Sequence, residues 1–499
     1  VLAYTGLLIS LVSSLGAPLV PTIGADYGVS LSTAQWSLTV TLLVGAIAAP
    51  VIGRLGDGPQ RLRVLLTALG ILVAGGVLAA LPGTTFALLI VGRAMQGVGL
   101  ALLPLLMGIA RDHLPPERSR GALATLSVTA VVGLGLGYPF TGLVAEHLGF
   151  HAGFWVAAGL GLLAMALAVL VVPTSMHRPS SSFDLPGAML LGLGLGALLI
   201  SISEGEEWGW FSSKIIVLAV MAVLILAGWV GHELRTHDPL VDLRQLRNRT
   251  VLTADATGVL AGVGMYMLMS MIIRYVQTPT SVSYGLGASV VVGGLTLLPM
   301  SATSFTASRL MPSLTRVVSP TRILPFGALL FAASLAMFGL YRDHLWQIFV
   351  EMGIAGLGIG FSFAVMPRMI VSSVPGDQTS SALALNQVLR TIGYSLGSAL
   401  SATILAAHTA APSVLPANHG FTVGALVAIA LCVLAAVVSW VLPARAKVSG
   451  PGASLDSDQE LLVEESVDGA ISGVIAFEPE FVEPASPTDS LTGLTGKAR

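Results

Sequence analysis

The sequence predicts an all-α polytopic membrane protein, and three observations carry that reading. Of 499 residues, 54% are hydrophobic and 10% charged, whereas an ordinary soluble protein is roughly 25% charged, so a water-soluble globule is excluded. Apolar stretches of the about 20 residues that cross a bilayer recur from residue 2 to residue 442, separated by short polar gaps. These stretches are continuous Leu/Ala/Val/Gly runs, not the alternating segments of an outer-membrane barrel, so the spans are helices.

Apolar windows between charges, prolines and glycines place spans near residues 2–20, 34–53, 64–81, 86–109, 122–144, 152–172 and 185–203. Seven more follow near 215–231, 255–276, 287–307, 323–340, 347–367, 381–407 and 421–442, giving 14 transmembrane helices. The first has no basic leader and no small-residue cleavage site, so it reads as a helix and not a removable signal. With the N-terminus inside, the short inside loops hold 17 Lys/Arg and the outside loops only Lys214, Arg274 and Arg342. The positive-inside rule then puts both termini in the cytoplasm.

A segment repeats at an offset of 260 residues, Pro115–Gly137 on Pro375–Gly397, with eight of 23 positions identical. The preceding helices align too, Gln96-Gly97-Val98-Gly99 on Ala355-Gly356-Leu357-Gly358. The repeat carries span five onto span thirteen, so the copies run the same way through the membrane, a pattern found in transporters. A displacement of eight spans leaves two outside the repeat, an arrangement of 6+2+6 in two pseudo-symmetric bundles. The expected divisions are 1–172, an insert at 173–249, 250–443, and an acidic tail at 444–499. That tail holds 4 Lys/Arg and 10 Asp/Glu and is expected to be disordered and cytoplasmic.

Several local patterns carry chemistry. The loop after span two reads Gly53-Arg54-Leu55-Gly56-Asp57-Gly58-Pro59-Gln60-Arg61. An acid beside arginines at a helix end can latch the two halves together there. Span four holds Arg93 in Gly92-Arg93-Ala94-Met95-Gln96-Gly97-Val98-Gly99, a costly charge about two turns into the bilayer. Span five is glycine-rich at Gly133, Gly135, Gly137 and Gly142, with Pro139 among them. Span thirteen carries Asn386, Gln387 and Arg390, and the i, i+4 pair Asn386 and Arg390 shares a face expected to point at a cavity.

These strings resemble the major facilitator superfamily. Its patterns are G-x-L-x-D-x-x-x-R after helix two, R-x-x-Q-G-x-G in helix four, and G-P-x-x-G-G in the fifth helix of its antiporters. Tyr138 and Thr141 stand where the last pattern has glycine. With its two-span insert, bounded by Asp184, Glu204–Trp210 and Glu233–Leu243, the chain is similar to the fourteen-span drug:proton antiporters of the EmrB/QacA type. The resemblance implies the major facilitator fold, a cytoplasmic gate at Gly53, Asp57 and Arg61, and a role in proton coupling for Arg93. The alternative for Arg93 is a structural arginine bonded to backbone carbonyls.

Many relatives carry an acid in the first helix, whereas Leu11-Val12-Ser13-Ser14-Leu15-Gly16 has none. The remaining acids at membrane depth, and so the candidates for proton coupling, are Glu351, about a turn inside span twelve, and Asp255 at the start of span nine, whose alternative is a solvated helix-start acid. Gln96, Asn386, Gln387 and Arg390 are the expected cavity groups. Arg390 would bind an anionic group of substrate, neutralise an acid, or serve structure. The nine histidines are expected in loops, and Trp208 and Trp210 as interfacial anchors.

The only cysteine, Cys432, lies in an apolar run, and no metal set or cofactor is called for. No G-x-x-x-x-G-K-[ST] phosphate loop is present, which excludes an ATP pump on this polypeptide. Neither a nucleic-acid interface nor an enzymatic constellation is expected. With 21 Arg against 3 Lys, the chain reads as the product of a GC-rich bacterial genome. The expected function is efflux of a hydrophobic or amphipathic small molecule such as a drug across the bacterial plasma membrane. Inward proton flow would drive it, in a monomer, and the expected partners are the lipid bilayer, the substrate and protons. A uniporter or importer on the same fold, or a receptor signalling through the tail, are the alternatives.

Overall fold

The structure is a computed structural model that describes residues 2–14, 19–29, 31–58, 60–172, 184–282, 284–409 and 415–444. Two compact units divide the chain, Val1–Arg445 and Ala446–Arg499, and every described residue belongs to the first. The expected disordered tail therefore lies outside the described residues, as does 173–183 of the insert.

Among the described residues the structure is helical throughout, with no strand. The first part comprises α1 (Leu2–Ser14), α2 (Val20–Tyr27), α3 (Leu31–Asp57), α4 (Arg61–Ala80), α5 (Phe86–Leu100), α6 (Leu102–His113), α7 (Pro116–Leu148) and α8 (Phe150–Val171). The insert holds α9 (Leu185–Ser203), the single turn α10 (Gly205–Trp208) and α11 (Ser213–Glu233). After it come α12 (Arg249–Gln277), α13 (Val290–Leu295), α14 (Leu297–Val317), α15 (Pro320–Leu340), α16 (Leu345–Val371), α17 (Thr379–Ala407) and α18 (Asn418–Ala444). Among the described residues, eleven helices are long and apolar enough to cross a membrane. This is consistent with the expected fourteen spans; α1, α7 and the α13–α14 pair lie where the other three are expected.

Helix ends follow local chemistry. Thr85, Asp184, Ser212, Asn248 and Ser289 accept hydrogen bonds from first-turn amides of α5, α9, α11, α12 and α13, and Pro116 and Pro320 sit in the first turns of α7 and α15. Span four continues to His113 rather than stopping near 109, with a break at Ala101 between α5 and α6. Three residues on is Pro104, which lacks the amide that a continuous helix needs and crowds the carbonyl four residues back. Thr296 and Pro299 break α13 from α14 in the same way.

The repeat is visible as equivalent packing. A Cβ on Gly97 would meet the Thr41 carbonyl at 2.4 Å, and one on Gly356 the Met300 carbonyl at 2.2 Å. Gly99 faces Leu72 as Gly358 faces Phe331, all four pairs at one displacement of 259 residues. Gly133 lies against Ser10 of α1 as Gly393 lies against the Val259 carbonyl of α12. In lipid the hydrophobic effect does not drive helices together, so this close backbone approach is what van der Waals cohesion depends on. Gly356→Ala is expected to destabilise the protein by about 1–3 kcal/mol, read as a lower unfolding midpoint in detergent. Gly353→Ala, with no atom nearer than 3.9 Å, is expected to leave the midpoint unchanged.

Within the insert α11 packs on α9, and α9 packs on α3 and α17. Val217, Val220, Val223 and Leu224 of α11 are exposed, the outward apolar surface of a helix solvated by lipid. Two sequence expectations are corrected here. His151, His232 and His419 lie within helices, and His232 Nε2 meets Asp184 at 2.9 Å because the ends of α9 and α11 adjoin. Trp210 is more than an interfacial anchor, since its indole N–H donates to Thr403 of α17 at 3.0 Å.

Candidate functional site

The end of α3 meets the start of α17. Asp57 accepts hydrogen bonds from the Ser380 amide (2.9 Å), the Ser381 amide (2.8 Å) and the Ser381 hydroxyl (2.7 Å). Those amides belong to the first turn of α17, where helix amides lack internal partners and the dipole favours an anion. Asp57 thus caps a helix 323 residues away. Arg61 lies 3.8 Å from Asp57 and is bonded to Asp112 of α6 and the Gly56 carbonyl. Arg111 adds bonds to the Thr379 hydroxyl and the Pro375 carbonyl. Gly53 lets α3 and α17 touch, for its Cβ would stand 2.7 Å from the Ala384 methyl. The expected gate residues Gly53, Asp57 and Arg61 are brought together, and of these three it is Asp57 that bonds across to the other half, acid to helix terminus and not acid to arginine. Arg54 reaches the insert instead, 3.9 Å from Asp238.

Arg93 is fully buried. Its guanidinium donates to the carbonyls of Ser37 (2.9 Å) and Val12 (3.3 Å) and to the Gln96 side-chain oxygen (2.7 Å), and it lies 5.7 Å from the Phe154 ring. One side chain thereby ties α1, α3, α5 and α8. Gln96 is bound to Arg93 and is not among the cavity residues, which corrects that expectation.

A cavity lies between the two halves. Ser10, Leu42, Gly45, Ala46, Leu100 and Leu103 line it from one side, and Met265, Tyr266, Gln387, Thr391 and Tyr394 from the other. The space it bounds, counted out to the open mouth, is about 610 Å³. Among the described residues the wall is apolar apart from a few hydroxyls and one amide, with no charged side chain. Of the four expected cavity residues only Gln387 lines it. Asn386 and Arg390 face α12 instead, because residues at i, i+4 and i+7 share a face and here Gln387, Thr391 and Tyr394 hold the cavity side.

Behind Gln387 lies a buried polar network. The Asn386 amide donates to Asp255 at 2.9 Å, Arg390 is bonded to the Gln387 side-chain oxygen, and Arg390 and Asp255 interact electrostatically. Gly258 makes room, since its Cβ would touch both Arg390 and Asn386. The reading of Asp255 as a solvated acid is corrected. Helix α12 begins earlier, at Arg249, and Asp255 is only 2% exposed, walled in by α17. Glu351 is likewise buried, and neither carboxyl oxygen has a hydrogen-bond partner. It lies in α16 away from the cavity wall.

Gly133 and Gly137 lie buried in α7, whereas the surroundings of Pro139 and Gly142 lie outside the described residues. Sequence reasoning missed Tyr266 and Tyr394, whose rings stack at 4.6 Å and 22° across α12 and α17. The signal was present for Tyr394, which stands seven residues after Gln387 and so on the same helix face.

A family model described as Major Facilitator Superfamily matches residues 2–318. The multidrug resistance protein B homolog of Mycobacterium tuberculosis is 26% identical over 388 residues, covering 76% of this chain and 71% of that protein. The tetracenomycin C resistance and export protein of Streptomyces glaucescens is 26% identical over 409 residues, 80% and 74% of the two chains. The multidrug export protein EmrB of Haemophilus influenzae is 27% identical over 393 residues, 77% and 75%. Among solved structures, the human organic anion transporter TETRAN superposes with a TM-score of 0.64 at 15% identity, covering 88% of this chain and 98% of that one, a likeness of fold alone. A multi-pass helical membrane protein whose repeated segments pack in equivalent ways, matched by that model over most of its length, this chain belongs to the Major Facilitator Superfamily.

Proposed function

We propose that this protein exports a hydrophobic or amphipathic small molecule, such as a drug or antibiotic, from a bacterial cytoplasm in exchange for protons. Residues 1–172 rock against 250–443 about the cavity, residues 173–249 form the insert, and both termini lie in the cytoplasm. The observation that carries the reading is the contact between a charged network and an uncharged cavity. Gln387 is bonded to the Arg390 guanidinium, and Asp255 interacts with that same guanidinium electrostatically. Loss of the Asp255 proton draws Arg390 toward the carboxylate and frees Gln387 in the cavity wall, and protonation returns it. Proton state is thereby relayed to the substrate site by one side chain.

The printed names of the bacterial relatives support the outward direction. The positive-inside distribution of arginines supports a cytoplasmic latch at Asp57, which seals that side while the cavity faces the other. Arg93, held by two carbonyls, is assigned to positioning α1, α3 and α5, and Asp255 is assigned the exchangeable proton. Energised inside-out vesicles test the reading. Labelled substrate is expected to accumulate uphill, and a protonophore to abolish the accumulation. Accumulation to equilibrium only, indifferent to the protonophore, overturns it in favour of a uniporter. Glu351→Gln is expected to keep proton-driven uptake within about twofold of wild type, since the side chain touches neither the cavity nor the Arg390 relay.

A further inference from the structure

We infer that the cavity selects planar, uncharged aromatic molecules carrying hydrogen-bond acceptors and discriminates against organic cations of the same size. The inference deepens the export reading and rests on this cavity being the transported molecule's site.

One wall of the cavity is an aromatic plate. The rings of Tyr266 and Tyr394 lie nearly parallel with centroids 4.6 Å apart, and both belong to the lining. A third ring extends such a stack in the same offset geometry, worth about 0.5–1.5 kcal/mol beyond the area it buries. Leu42, Leu100, Leu103 and Met265 supply apolar surface around the plate.

Two polar groups of the lining can donate to a ligand. Arginine can only donate, so the bond from Arg390 fixes the Gln387 side-chain oxygen toward Arg390. The Gln387 NH2 is then the end left for the cavity. The Tyr394 side chain is 7% exposed and its hydroxyl has no hydrogen-bond partner, so a ligand acceptor satisfies a group that is otherwise buried and unmade. The hydroxyls of Ser10 and Thr391 already donate to the backbone carbonyls of Gly6 and Gln387. A carbonyl or ether oxygen on a flat ring system is the complement of this arrangement.

A cation meets the opposite situation. Among the described residues no carboxylate lines the cavity, and the charged side chain bonded to the lining residue Gln387, Arg390, is positive. Asp255 is absent from the lining, accepts a hydrogen bond from Asn386 and interacts electrostatically with Arg390. Attraction of a cation to the tyrosine faces is worth about 0.5–2 kcal/mol, less than the several kcal/mol lost when an unpaired ion is desolvated. Discrimination therefore follows from charge at constant shape.

Two probes of similar size and planarity test this on the purified full-length protein in lipid nanodiscs, with no gradient applied. The probes are a dihydroxyanthraquinone, neutral and rich in acceptors, and ethidium, a permanent cation. Wild type is expected to bind the anthraquinone at least about tenfold more tightly. Tyr394→Phe is expected to weaken anthraquinone binding roughly three- to tenfold and to leave ethidium binding unchanged. Thr391→Asp places a carboxylate in the lining and is expected to narrow or reverse the order. Equal binding of the two probes, preference for ethidium, binding of neither, or a Tyr394→Phe protein that binds the anthraquinone as wild type does would each overturn the inference. Because binding is read without a gradient, an anthraquinone that binds in this order but is never driven uphill contradicts proton-coupled export and leaves the selectivity standing. Proton-driven export of ethidium in preference does the reverse.

Discussion

Asp57→Ala is expected to open the latched end of the bundle and to cut uphill transport by an order of magnitude or more. The substitution removes three hydrogen bonds to the first turn of α17 and leaves the Ser380 and Ser381 amides without their acceptor. Hydrogen bonds to a charged group contribute about 1.5–3 kcal/mol each, but water that enters the opened gap replaces part of that. A net loss of about 2 kcal/mol shifts the closed-to-open ratio roughly thirtyfold. Labelling of a cysteine placed at Ala384, which faces Gly53, reads the change in a background where Cys432 is replaced. Faster labelling in Asp57→Ala is the expected result. Equal rates would mean that the contact does not hold the halves together.

Asp255→Asn is expected to separate transport from protons. The amide keeps the shape of the acid and still faces Asn386, so the cavity and its binding are retained. It cannot release a proton or draw Arg390 away from Gln387. Downhill exchange of labelled substrate across proteoliposomes should therefore persist, while proton-driven accumulation falls to background. Loss of both activities with normal folding would place Asp255 in the architecture of the site and not in coupling.

The two halves of this account differ in how much of them the sequence discloses. Helices are legible because lipid demands long apolar runs with internally satisfied backbones, and those runs stand in the sequence with no tertiary information. The repeat is legible for a related reason: Gly97 and Gly356 are each required by a carbonyl at van der Waals distance, so the same small residue recurs. Partners across the bundle are not legible. Asp57 announces an acid at a helix end, but nothing local says that its acceptors are used by α17. Arg93 announces a costly charge, and only the fold shows that backbone carbonyls from two other helices hold it.

Asp255 shows the same limit from the other side. Counted along its own helix it is an acid near a solvated start, and the neighbour that buries it begins more than a hundred residues later. The cavity wall also depends on helix rotation. A turn of about 100° per residue separates the face of Asn386 and Arg390 from that of Gln387 and Thr391, and sequence spacing alone cannot say which of the two meets the other half.

The central claim is that substrate and protons move through this protein in exchange, and proton movement on substrate addition tests it most directly. Inside-out vesicles holding wild-type protein are energised to an acidic lumen, with a pH-sensitive dye reporting the gradient, and a candidate substrate is added. Proton-coupled export predicts a partial collapse of the gradient that requires the compound and is absent in Asp255→Asn. A labelled compound that equilibrates through the wild-type protein while the gradient stays intact would contradict the claim.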